Sequence, residues 1–166
     1  KIAHPGSLPV FLANLGHRDA HVRRIAVEGI GRTGDEAAMK DMESRTGRDQ
    51  SPYVTYARAF ARARNGDLRQ LSKLVDGFKF SLLESDTFDY LVELGEPAAG
   101  ELAVLSSNKD PKVRAGIAEV LGIAGSPSSL SALSVLAEDR SDLVAAAAER
   151  SLKRLTPRDK SAPRGR

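Results

Sequence analysis

The sequence predicts an all-α protein, built as a right-handed α-solenoid of about five stacked helical hairpins. Four segments can be overlaid, and within each of two pairs the spacing is 31 or 32 residues. Each segment has a capping residue three positions before a valine. Apolar residues make up 41% of the chain and aromatic residues only 5%. A fixed period of this size is typical of arrays in which every repeat is one helical hairpin.

The capping residues are predicted to begin the inner helix of each hairpin. They are Asp19, Ser51, Asp110 and Ser141. A side-chain oxygen at this position can accept a hydrogen bond from a free amide of the first helical turn. Proline follows two of the four, where its missing amide costs nothing. Each of these residues therefore predicts a helix start.

The other ends of the inner helices are predicted at glycines. Gly34, Gly66 and Gly125 each lie twelve residues after a valine, and glycine tolerates the left-handed conformation that ends many helices. The outer helix of each hairpin then presents three apolar positions separated by three and four residues, which form one stripe. These positions are Leu8, Phe11 and Leu15; Leu71, Leu74 and Phe78; and Leu130, Leu133 and Ala137.

Two of the four segments match each other closely. Residues 19–31 and 110–122 both begin with Asp-x-x-Val-Arg and end with glycine. This pattern resembles a HEAT-repeat array of the short bacterial type, similar to the repeats of phycobilisome-lyase-like proteins. The resemblance covers nearly all of residues 1–155 and implies a HEAT-like superhelix, but no particular activity. The copy over residues 81–95 departs most from the pattern.

We predict one elongated solenoid domain over residues 1–155, followed by a basic, flexible tail over residues 156–166. The overlay places residues 1–3 at the end of an inner helix, so we expect the array to continue upstream. Leu8, Phe11 and Leu12 would then form an exposed apolar end that is available for a contact.

The arginine of the shared motif is expected to be structural. Arg23 and Arg114 follow the valine of their helices and can reach an aspartate of a neighbouring hairpin. Asp19 and Asp110 are the expected acceptors. The four residues would form a polar ladder beside the core.

The sequence offers little catalytic chemistry, and we expect no enzyme activity, no metal and no cofactor. The three histidines have no second ligand at metal spacing. The family that this sequence resembles includes iron-binding HEAT hydroxylases, whose metal ligands come from His-Glu pairs. This sequence contains no His-Glu pair, which argues against such an activity. Cysteine is absent, and no apolar run approaches the roughly 18 residues of a membrane span. These features favour a soluble, cytoplasmic protein without deciding the compartment.

The charge is unevenly distributed along the chain. Residues 1–80 contain 14 Lys and Arg against 9 Asp and Glu, whereas residues 81–155 contain 7 against 12. The N-terminal half is therefore basic and the next part is acidic. A basic surface favours an acidic partner.

We predict a non-catalytic protein-interaction module or scaffold that binds another protein, for instance an acidic peptide or loop. The resemblance implies that inner helices line a concave groove. The predicted contact residues on it are Arg24, Glu28, Arg58, Arg62, Phe88 and Glu119. One alternative is nucleic-acid binding through the basic half, although positive charge stops near residue 80. Another is a bilin lyase or its accessory, which rests on family similarity alone.

Overall fold

All regular secondary structure in the described part of the chain is helical. The computed structural model describes residues 4–124 and 127–156. Within these ranges there are α-helices and short 3-10 helices but no strand, which confirms the predicted all-α class. The predictions for residues 1–3, for Gly125 and for residues 157–166 lie outside the described residues.

Ten α-helices follow one another in the described ranges. They are α1 (Leu8–Asn14), α2 (Ala20–Thr33), α3 (Glu36–Thr46), α4 (Pro52–Arg64), α5 (Leu71–Val75), α6 (Ser81–Leu94), α7 (Glu96–Leu105), α8 (Pro111–Ala124), α9 (Pro127–Leu136) and α10 (Asp142–Leu155). A 3-10 helix precedes α1 at Pro5–Ser7, and two more flank α5 at Leu68–Gln70 and Asp76–Lys79.

The helices form two compact units, Lys1–Leu94 and Gly95–Arg166. In the first unit α2 packs against α1 and α4, and α4 packs against α5 and α6. In the second unit α8 packs against α7, α9 and α10. Taken in order, the described helices make three pairs in the first unit and two in the second. This agrees with the predicted number of hairpins.

The core of each unit is aliphatic with very few aromatic rings. In the first unit Ile30, Phe60 and Leu74 have no exposed surface, and in the second Ile117 and Leu133 have none. Burial of such side chains is the main favourable contribution to folding. One predicted core position is wrong, because Leu130 is 40% exposed. In α9 the third residue, Ser129, is fully buried instead.

The four predicted helix starts are correct, but only two of the capping side chains act as caps. Asp19 and Asp110 each accept a hydrogen bond from the amide two residues ahead, at 2.8 and 2.9 Å. Ser51 and Ser141 occupy the cap position without a side-chain bond. An aspartate therefore performs the capping wherever the repeat carries one.

A second side-chain acceptor stands two residues before each of these cap residues. His17, Asp49, Asn108 and Asp139 accept the amide hydrogen of the cap residue at 3.1, 2.9, 2.9 and 2.9 Å respectively. Side chains that bond to a backbone amide two positions ahead stabilise a turn. The turn before every one of these inner helices is thus built in the same way.

Two of the predicted terminal glycines lie in the described residues and have the expected conformation. Gly34 has φ 68° and Gly66 has φ 100°, a region that side chains disfavour. The irregular repeat also contains a full helix, α6, with Leu83 and Leu91 buried. Gly95, at φ 63°, follows it.

Inner helices approach each other closely at equivalent positions of the two units. A Cβ atom on Gly31 of α2 would lie 2.6 Å from the Cβ of Ala61 on α4. A Cβ atom on Gly122 of α8 would lie 2.4 Å from the Cβ of Ser151 on α10. Only glycine permits this separation without a shift of the neighbouring backbone.

The first hairpin leaves apolar surface exposed. Val10 and Ile25 are 61% and 51% exposed. Leu8, Phe11 and Leu12 are only half-buried, and α1 contains no fully buried residue. The first unit thus leaves apolar surface exposed on α1 and α2.

Candidate functional site

The two motif arginines each bind the turn before the next inner helix. Arg23 on α2 makes a bidentate pair with Asp49, with nitrogen to oxygen distances of 2.6 and 3.1 Å. Arg114 on α8 makes the same pair with Asp139, at 2.7 and 2.8 Å. A two-bonded guanidinium and carboxylate is a strong and directional contact.

The same arginines also hold the turn that precedes their own helix. The Nη1 of Arg23 donates to the carbonyl oxygens of His17 and Arg18, at 2.8 and 3.1 Å. The Nη1 of Arg114 donates to those of Asn108 and Lys109, at 2.9 and 3.0 Å. Each guanidinium therefore connects the turns that precede two successive inner helices.

The expected acceptors of this ladder were wrong. Asp19 and Asp110 cap their own helices, and their side chains are used there. The acceptors are Asp49 and Asp139, whose pKa values are lowered mainly by the hydrogen bonds from the arginines. A sequence signal existed, because both aspartates stand two residues before a predicted cap serine.

A charged network joins α2 to α6 within the first unit. Arg24, Glu28 and Arg32 are spaced four apart on α2 and lie on one helical face. Arg24 pairs with Asp86, and its Nε lies 3.5 Å from Glu28. Arg32 bonds to Glu28 at 3.0 Å and doubly to Glu93 at 2.9 Å. The carboxylates and guanidinium groups largely neutralise one another.

Aromatic rings form the floor of this network. Tyr90 stacks on Phe60 with ring centroids 4.6 Å apart, and the guanidinium of Arg32 lies 5.2 Å from the Phe60 centroid. The Tyr90 hydroxyl donates to Glu28 at 2.6 Å. Burial and the neighbouring Glu28 charge raise the pKa of Tyr90. Since Arg24 and Glu28 are held in these contacts, the predicted role of both as partner-binding residues is not supported by the geometry.

Arg58 and Arg62 lie on another part of α4, and each is paired with a carboxylate. Arg58 bonds to Glu43 of α3, and Arg62 bonds to Asp67 at 2.8 Å. Asp67 also accepts from Arg69 at 2.7 Å and from Gln70 at 2.9 Å. These three donors, led by Arg69, lower the pKa of Asp67 to about 2.

A pocket of about 210 Å³ opens beside these arginines. Its lining residues are Thr55, Arg58, Ala59, Arg62, Gln70 and Lys73. Lys73 extends over the ring of Tyr56, 6.0 Å from the centroid. Among the residues that the structure describes, no carboxylate forms a salt bridge with Lys73. We name this the α4–α5 pocket.

The remaining two predicted contact residues lie elsewhere. Phe88 is half-buried on α6. Glu119 belongs to the second unit, where it bonds to Arg150 at 3.0 Å with both side chains about half exposed. Within the first unit, the structure therefore does not place Arg24, Glu28, Arg58, Arg62 and Phe88 in one pocket. It unites Arg58 and Arg62 with Thr55, Gln70 and Lys73, which the charge pattern alone did not single out as a group.

Metal binding has no evident location in the described ranges. They contain no group of three or more His, Asp or Glu side chains placed to hold an ion. Within the same ranges, no helix combines the length and apolar character that a membrane crossing requires.

Comparison with known families gives a match over part of the chain. Residues 88–153 match the family model of HEAT repeats. This part of the chain carries HEAT repeats. The HEAT match runs from α6 to α10 and includes Arg114 and Asp139.

One solved structure similar to this chain is human deoxyhypusine hydroxylase in complex with glycerol. Its sequence is 18% identical, the match covers 92% of this chain and 75% of that chain, and the TM-score is 0.41. Comparison with the curated proteins gives no match.

Proposed function

We propose that this HEAT-repeat chain is a non-catalytic protein-interaction module whose first unit binds an acidic segment of a partner protein. HEAT repeats commonly present such binding surfaces, because stacked hairpins hold side chains at regular intervals on a rigid frame. The observation that carries the proposal is the α4–α5 pocket, where cationic side chains meet on accessible surface.

Accessibility separates Arg62 from the arginines of the network between α2 and α6. The side chain of Arg32 is 11% exposed and that of Arg24 is 22% exposed, and both are engaged by carboxylates. Arg62 is 41% exposed and bonds to its carboxylate through one nitrogen only. A partner carboxylate can therefore reach Arg62 and Lys73 without displacing a buried pair, whose disruption would be costly.

Nucleic-acid binding is the alternative that a basic pocket also permits. A duplex requires several cations in line with its phosphates. In the first unit, however, Arg23, Arg24, Arg32 and Arg58 are each neutralised by an internal carboxylate. This pairing favours recognition of a short acidic segment over a long polyanion.

The proposal is tested with a fluorescein-labelled hexaglutamate peptide and fluorescence anisotropy at low ionic strength. We expect saturable binding to the wild-type chain and at least about tenfold weaker binding to the Arg62→Glu, Lys73→Glu double variant, since reversed charges repel the ligand. Arg58 is left unchanged because its substitution would strand Glu43.

The matched control is the Lys40→Glu, Lys112→Glu double variant, which has the same net charge as the pocket variant. Both lysines are exposed and neither lines the pocket. This control is expected to bind almost as well as the wild type. Equal loss of binding in both double variants would mean that net charge alone attracts the peptide, and the proposal would be wrong. Tight binding of a DNA duplex that survives reversal of Arg62 and Lys73 would replace the proposal with the nucleic-acid alternative.

A further inference from the structure

We infer that the α4–α5 pocket holds one phosphomonoester group, supplied by a phosphorylated side chain of the partner protein. This inference rests on the proposed function and specifies the anion that the pocket selects. Three properties of the pocket support it: its net charge, its fixed donors and its size.

The charge around the pocket is in excess by two. Three cationic side chains line the pocket, Arg58, Arg62 and Lys73. A fourth, Arg69, lies outside the lining and shares the Asp67 carboxylate with Arg62. Only two carboxylates oppose them, Glu43 on Arg58 and Asp67 on the other two arginines. A phosphomonoester carries a charge of about −1.5 to −2 at neutral pH. It would neutralise the excess, whereas a single carboxylate would leave about half of it.

Nearby charged groups outside the pocket do not change this balance. Asp49 is close enough to Arg58 to interact with it electrostatically, but it is paired with Arg23. Asp76 acts similarly on Tyr56 and is paired with Lys79. Both are neutral pairs, so the local excess of two remains.

The donors are positioned by internal hydrogen bonds. Asp67 accepts from Arg62 and Gln70 at 2.8 and 2.9 Å, and this carboxylate holds both side chains at the pocket wall. Guanidinium groups present several N–H donors in a plane that suits phosphate oxygens, and an ammonium adds a point charge. Lys73 supplies that ammonium, and Thr55 adds a hydroxyl to the lining.

The size of the pocket suits one group and not a whole cofactor. Its volume is about 210 Å³, below the roughly 300 to 1,000 Å³ that small-molecule sites usually occupy. The pocket is therefore sized for a side-chain terminus. The rest of a partner segment would lie outside it.

The experiment is a two-dimensional amide NMR titration of the full chain with three probes at matched ionic strength. The probes are N-acetyl-phosphoserine amide, N-acetyl-glutamate amide and inorganic phosphate. We expect phosphoserine amide to shift the resonances of residues 55–62 and 70–73 saturably, with an affinity about tenfold higher than that of the glutamate probe, from its additional charge-assisted hydrogen bonds. Each probe identifies one class of ligand.

Two single variants and one control complete the design. Lys73→Gln and Arg62→Gln should each weaken phosphoserine-amide binding by about tenfold, as expected for the loss of one charged donor. Lys40→Gln, an exposed substitution on α3 of the same unit, should have no effect. Unchanged affinity in both pocket variants would overturn the inference.

The outcomes distinguish this inference from the proposed function. Equal affinity for the phosphoserine and glutamate probes, with hexaglutamate binding intact, would overturn the phosphate preference and leave the interaction module standing. Inorganic phosphate binding as tightly as phosphoserine amide would identify a free-phosphate site and overturn the phosphoprotein source. Failure of hexaglutamate and of all three probes would reject both proposals.

Discussion

Replacing Arg114 with alanine should destabilise the second unit by about 3 kcal/mol. The guanidinium makes two hydrogen bonds to Asp139 and two to backbone carbonyls, and its side chain is only 9% exposed. The substitution leaves the Asp139 carboxylate, 12% exposed, bonded to the Ser141 amide. Breaking one side of a buried ion pair costs about 3 to 5 kcal/mol and an exposed pair about 1 or less. The higher helix propensity of alanine offsets a few tenths of a kcal/mol of this loss of stability.

Urea unfolding of the full chain, followed by far-ultraviolet circular dichroism, measures this effect. The matched control is Lys112→Ala on the same helix, where the side chain is exposed. Asp139→Ala and the Arg114→Ala, Asp139→Ala double variant complete a cycle that isolates the pair energy. A loss below about 1 kcal/mol for Arg114→Ala, as for an exposed pair, would refute the view that this arginine fastens the two turns.

Two further predictions concern acid stability and helix spacing. Because the pKa values of Asp49 and Asp139 are lowered by their arginines, the unfolded chain binds more protons below about pH 4. The stability that these groups contribute is present above that pH and is lost as the pH falls through their folded pKa values. Urea midpoints measured down the pH scale should show this loss, and asparagine at both positions should flatten it. Gly31→Ala should lower stability by about 1 to 3 kcal/mol, because its Cβ would collide with Ala61. Gly100→Ala, where a Cβ meets nothing within 4 Å, should raise stability by about 0.5 to 1 kcal/mol. Thermal unfolding compares the two glycine variants, and equal shifts would contradict the close-approach interpretation.

Helix boundaries could be predicted from the sequence because they depend on local chemistry. The starts at Asp19 and Ser51 and the end at Gly34 follow from capping and from a positive φ, which neighbouring residues decide. The hairpin count followed from the repeat period. These features require no knowledge of how the hairpins pack.

Side-chain partners could not be predicted in the same way, because they depend on contacts between distant residues. The sequence identified Arg23 as a structural arginine but not its acceptor, which lies 26 residues later. Arg32 reaches Glu93 over 61 residues, and only the packing of α2 and α6 within one unit brings them together. Lys73 was not singled out, because the short α5 and its flanking 3-10 helices leave no regular charge pattern to recognise.

The glycines in the last turns of α2 and α8 restrict how these repeats can be recombined. Gly31 faces Ala61, and Gly122 faces Ser151. In both cases a small residue on the next inner helix lies opposite the glycine. A transplanted hairpin must therefore place a small residue opposite this glycine, because otherwise the two inner helices cannot pack at their native separation. Shuffled libraries that keep this glycine-to-small pairing should contain a larger share of folded members than libraries that ignore it.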